Sequence, residues 1–260
     1  MKLLLLLSIL LTACTSITIQ VPANRFISPE AQGDSFLRGR VTLGGHGGSE
    51  IEVVESKFSD SPTTDPEITE DSGAQIGIEL NLIKSLDVYY IINYNSYDSL
   101  GLKYQILGDS VASAKAKSFS LAVGAGILTS TSASVITESD DTTSTEIETT
   151  IKFSGHEYFL LLGYRPSDNV LIYLGPWFTK FDTDVVVDKT DAGVTTRTVD
   201  MEGEGDQKNI LLGLQFGTDA FHTNLEAAYT KINYKKTTAP ESIAKEVEDF
   251  VWGAAFSYRW

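Results

Sequence analysis

The chain ends on Val251-Trp-Gly-Ala-Ala-Phe-Ser-Tyr-Arg-Trp260, in which Trp252, Ala254, Phe256, Tyr258 and Trp260 alternate with Gly253, Ala255, Ser257 and Arg259. Successive side chains of a strand point to opposite faces, so this spacing gathers the aromatics on one face and the small or polar residues on the other. Chain ends ordinarily fray into water. An apolar edge left open would also invite pairing with other chains. A terminus of this kind needs a partner strand along its edge and an apolar medium against its aromatic face.

Working back from it, nine further stretches carry the same period of two: about 35–46, 73–83, 87–94, 99–107, 117–129, 151–164, 169–182, 208–217 and 220–234. In 73–83, Ala74, Ile76, Ile78, Leu80 and Leu82 oppose Gln75, Gly77, Glu79 and Asn81. In 208–217, Ile210, Leu212, Leu214 and Phe216 oppose Asn209, Gly213, Gln215 and Gly217. The stretch 151–164 admits either face, with Tyr158, Leu160, Leu162 and Tyr164 taken as the apolar one. Pro176 has no N–H for a ladder, which predicts a bulge or kink in 169–182. Ten strands are expected, with eight or twelve as alternatives. Arranged antiparallel, their connections divide into short ones at one end (85–86, 108–116, 165–168, 218–219) and mostly long, acidic ones at the other (50–72, 130–150, 183–207, 235–247).

Composition bounds the function. Thirty-five Asp and Glu against 20 Lys and Arg give a formal charge of −15, which excludes a phosphate-neutralising nucleic-acid binder. One cysteine excludes an internal disulfide and a Cys-rich zinc site. The acidic residues of the long connections, such as Asp60, Asp65 and Glu67 or Asp140, Asp141 and Glu146, fit no EF-hand spacing. Neither cofactor nor metal is expected.

The N-terminus reads as an address. Lys2 precedes an apolar run of about a dozen residues, too short to span a bilayer as a helix. The run closes on Leu11-Thr12-Ala13-Cys14, which resembles the lipobox of bacterial lipoproteins. That likeness implies cleavage after residue 13 and lipidation of Cys14. Residues 14–34 have no period and contain Pro22, Pro29 and Gly33, the pattern of a linker ahead of a barrel at 35–260.

Alternation, tight turns at one end, long loops at the other and a closing aromatic together resemble the bacterial outer-membrane β-barrel family. The likeness implies an up-and-down antiparallel transmembrane barrel, monomeric, its apolar faces on outer-membrane lipid. It also implies long loops outside the cell, a periplasmic N-terminus, and a last strand, marked by Trp252, Phe256, Tyr258 and Trp260, read by the barrel-assembly machinery. A soluble lipocalin-like lipoprotein, with its apolar face inward around a ligand, is the architectural alternative.

With apolar faces outward, Arg38, Arg40, Glu79, Lys103, Glu157, Glu226 and Arg259 share the lumen, and Arg40, Glu79, Lys103 and Glu226 lie at about one level. Unpaired charges are costly in such a space, so they should bond to one another. The cluster reads as a sealing network or as the constriction of a small-solute channel. Surface binding through the acidic loops is a further alternative. An enzyme is not expected, because His46, His156 and His222 share no face and level and pair with no nucleophile.

Overall fold

The computed structural model describes residues 17–33, 35–54, 67–94, 96–140, 143–191, 193–218, 220–237 and 244–260. It is all β. The strands are β1 (Ile17–Pro22), β2 (Gly39–Val54), β3 (Glu67–Ile83), β4 (Leu86–Asn93), β5 (Asp98–Leu107), β6 (Phe119–Asp140), β7 (Thr143–Ser167), β8 (Val170–Asp191), β9 (Val194–Gly217), β10 (Phe221–Lys236) and β11 (Ala244–Arg259). Neighbours in sequence from β2 to β11 pair antiparallel, and β11 pairs back onto β2, so ten strands close a ring. The closing ladder runs from Ala254↔Gly45 to Arg259↔Arg40, and Trp260 N–H then donates to the Gly39 carbonyl at 3.1 Å. The sticky terminus is therefore a paired wall strand.

The outside of the ring carries a belt of large apolar side chains. On β8, Ile172, Leu174 and Phe178 point out while Leu171, Tyr173 and Trp177 are buried. On β11, Trp252 is 74% exposed and Phe256 is 72% exposed. The lipocalin-like alternative needs these faces inward, and the structure turns them outward. Pro176 stays in register with Ile210 of β9. The lapse expected there falls on the other side, where pairing with β7 skips from Leu162↔Leu174 to Phe159↔Trp177.

Two expectations are corrected. The stretches 130–150 and 183–207, read as long loops, are mostly continuous strand. β6 and β7 pair from Phe119↔Tyr164 to Asp140↔Thr143, far beyond the ~9–11 residues that cross a bilayer. Past the belt the period of two persists but its chemistry inverts. On β8 the outward positions become Lys180, Asp182 and Asp184, and the inward ones Phe181, Val185 and Val187. The inward residues build an apolar core with Ile19, Ile51, Phe153, Met201 and Tyr234. A polar outer face made these segments look like loops, whereas it marks strands that have left the belt for water.

The second correction concerns 14–34, of which residues 17–33 are described. They are not a free linker. β1 pairs with the far half of β2, from Ile17↔Val54 to Pro22↔Gly48, and 23–33 then run down the inside of the ring, all of them buried. The chain turns at 35–38 beneath the barrel and enters the wall at Gly39. Gly44 and Gly47 make the exchange of neighbours along β2 feasible. A Cβ on Gly44 would lie 2.8 Å from the Ala254 carbonyl and 3.0 Å from the Phe26 ring, and one on Gly47 would lie 2.8 Å from Val251.

Inward aromatics rest on glycines of the next strand, as Tyr173 does on Gly213, where a Cβ would run into its ring. Gly213→Val should push Tyr173 off its place and lower stability by about 1–3 kcal/mol. A lower urea midpoint of the folded protein in detergent checks this, and an unchanged midpoint contradicts it.

Candidate functional site: a plugged, charge-balanced lumen

The lumen holds five buried cations, Arg25, Arg40, Lys103, Arg165 and Arg259, and five buried carboxylates, Glu30, Glu79, Asp87, Glu157 and Glu226. The described interior is thus neutral overall, as burial in a low-dielectric space requires. Alternation along β2, β3, β4, β5, β7, β10 and β11 aims the wall members inward. The plug supplies Arg25 and Glu30.

At the middle level Glu157 is the hub. It accepts from the Tyr89 hydroxyl at 2.9 Å, from the Trp177 indole at 3.0 Å and from the Ser99 hydroxyl. Arg25 Nε lies 3.3 Å from the same carboxylate. Arg25 also donates to the Tyr97 hydroxyl at 2.6 Å and to the Pro22 carbonyl at 2.7 Å. Its guanidinium carbon sits 5.6 Å from both the Tyr97 and the Trp177 ring centres. Across the lumen, Glu226 accepts from the Arg25 backbone N–H at 2.9 Å and from Tyr173 at 2.6 Å.

Nearer the short-turn end, Lys103 Nζ is 2.7 Å from Glu79 and 3.1 Å from Asp87. It also donates to the plug carbonyls of Ser28 at 3.0 Å and Glu30 at 2.9 Å. Arg40 pairs with Glu79 and donates to the Phe26 carbonyl at 2.6 Å. Gln32 binds Asp87 through its backbone N–H and Glu79 through its amide. Arg165 grips Glu30 with two bonds, at 2.7 and 2.6 Å. Arg259 donates to Gln32 at 3.3 Å. In place of a ladder, the plug backbone is satisfied largely by wall side chains, which is why 23–33 show no period.

Of the seven charged residues expected in the lumen, six are there. Arg38 is not: it is exposed in the turn at 35–38. Counting alternation from residue 35 placed it inward, but β2 begins only at Gly39. The reading missed Arg25 and Glu30, which lie in aperiodic chain and give no signal of facing. It also missed Asp87 and Arg165, whose parity matches their inward neighbours Tyr89 and Gly163. Asp87 opens the stretch 87–94 and was legible by its parity, whereas Arg165 falls in the stretch 165–168, which reads as a turn.

His46 is buried on β2. His156 faces outward beside Tyr158, and His222 lies 3.4 Å from Arg259 at the short-turn end. The three occupy separate places. Among the described residues no group of three or more His, Cys, Asp or Glu side chains is arranged to hold a metal ion. Cys14 lies outside the described residues.

Glu157→Leu should destabilise the protein by about 3–5 kcal/mol, because it leaves Arg25 buried without its carboxylate. Arg25→Met combined with Glu157→Leu should cost less than Glu157→Leu alone. Unfolding midpoints of the two variants in detergent check this, and a double variant weaker than the single one would contradict the pairing.

No protein-family model and no curated protein sequence matches the chain. Among solved structures, it is similar to the outer membrane protease OmpT from Escherichia coli, at 10% identity and a TM-score of 0.34, over 86% of this chain and 94% of that one. It is also similar to the outer membrane channel DcaP of Acinetobacter baumannii, at 9% identity and a TM-score of 0.21, over 88% of this chain and 100% of that one.

Proposed function

We propose that this protein is a sealed β-barrel of the bacterial outer membrane, a structural anchor rather than an open channel. The observation that carries the reading is the plug. Residues 23–33 fill the ring and bond to its wall at successive levels, from Arg25–Glu157 to Glu30–Arg165. The outward belt supports the membrane location, since so much exposed apolar surface is unfavourable in water and favourable in lipid. The strand extensions beyond the belt give the anchor its second face. Their outward Asp182, Asp184, Glu202 and Glu204, with Lys152 at 3.8 Å from Asp184 and Lys235 at 3.7 Å from Glu204, form a charged, ladder-stiffened surface that suits recognition of a partner at the cell exterior.

Lipidation of Cys14 belongs to the same reading, with one adjustment. Ile17 lies at the long-hairpin end of the barrel. The described chain thus starts, at Ile17, at the same end of the barrel as the long hairpins, and extracellular hairpins would put Ile17 on that side as well.

In planar bilayers the full chain should give no steady conductance steps, and removing the Arg25–Glu157 and Glu30–Arg165 anchors together should produce current bursts as the plug loosens. Stable ohmic steps from the unaltered protein would establish a channel instead. On a detergent gel the unboiled protein should run ahead of the boiled one and need detergent to stay soluble. A soluble, unshifted protein would remove the membrane reading.

A further inference from the structure

Among the described residues, the wall of the barrel is open above its shortest hairpin. β4 pairs with β3 only as far as Gln75↔Asn93, and β5 pairs with β6 only as far as Asp98↔Thr129. Beyond those rungs, among the described residues, β3 pairs with β2 alone and β6 with β7 alone. Between the two edges opens a groove of about 790 Å³, within the ~300–1,000 Å³ range of small-molecule sites.

The groove joins two apolar regions. Its outer lip is Ile76, Ile92 and Tyr94, exposed side chains continuous with the belt. Its inner end is Ile19, Tyr97 and Phe153, members of the buried upper core. Polar groups line it as well. Gln75 is 1% exposed, yet neither atom of its side-chain amide has a hydrogen-bond partner. Asn93 Oδ1 and Gln20 Oε1 are likewise buried and unpartnered. Such groups are costly unless something bonds to them. The one charged residue among the described lining is Glu50, which favours an uncharged head over an anionic one.

We propose that this groove is a lateral binding site for a single-chain amphiphile with an uncharged, hydrogen-bonding head, of the monoacylglycerol class, drawn from the surrounding bilayer. The inference rests on the membrane reading above. Continuity with the lipid-facing belt gives the chain its way in without crossing water. The Gln75 amide offers both a donor and an acceptor to an ester or hydroxyl, and Asn93 and Gln20 add acceptors.

The test places the full-length protein in phosphatidylcholine vesicles with a trace of monoacylglycerol bearing a diazirine on its chain, then maps the photolabel by peptide mass spectrometry. Label should concentrate several-fold at Ile92, Tyr94, Tyr97, Ile151 and Phe153 relative to belt positions such as Leu212 and Phe256. Ser130→Trp, which fills the groove from its β6 edge, should bring the groove down to the belt level while belt labelling persists. Gln75→Leu should abolish the preference for the monoacylglycerol over a fatty acid with the same diazirine chain. Equal labelling of groove and belt overturns the proposal and leaves the membrane reading standing. Groove labelling that appears only in Cys14→Ser overturns it in favour of the chain's own N-terminal lipid as occupant. Label in neither place removes the membrane reading and this inference together.

Discussion

Everything in this molecule depends on closing the ring between β11 and β2. Without that ladder the last strand is an open apolar edge and the belt has no continuous surface. Closure also creates the problem that the rest of the structure solves. It encloses a narrow space into which alternation sends Arg40, Glu79, Lys103, Glu157 and Glu226, and no wall strand can change its inward residues without moving its outward ones. The plug answers this from inside. Arg25 meets Glu157, Glu30 meets Arg165, and the backbone groups of Arg25, Phe26, Ser28 and Glu30 meet the charges that remain.

This arrangement is a specificity device more than a source of stability. Burying ten charges costs much of what their pairing returns. What the network provides is register: each plug residue has one level at which its partner waits. The apolar contacts of Ala23 and Ile27 with Phe159, Leu161, Trp177 and Leu211 supply burial without direction. The charges supply direction. A segment without secondary structure of its own thereby acquires one path.

The barrel has two solvents, and its strands change dress between them. In the belt the outside is apolar and the inside polar. Above it, Lys180, Asp182 and Asp184 take the outside while Phe181, Val185 and Val187 take the inside. The ladder is indifferent to this exchange because its hydrogen bonds use only backbone. The short β4–β5 hairpin does not take part in the upper tier, and the groove lies where it is absent.

The ring was legible in side-chain spacing alone. A period of two repeated ten times and an aromatic terminus that needs a partner are local facts about side-chain spacing, and they survive any tertiary detail. They also located six of the ten buried charges, because parity fixes facing wherever a strand is regular. Tertiary structure alone decided the rest. The acidic stretches 130–150 and 183–207 read as loops because polarity resembles solvent exposure of any kind, and only the neighbouring strands reveal a ladder. Residues 23–33 carried no readable period because they form no ladder and bond instead to side chains scattered along the chain, from Arg40 to Gln105 and Glu226. No local pattern can encode a bond whose other half is supplied by closure of the barrel.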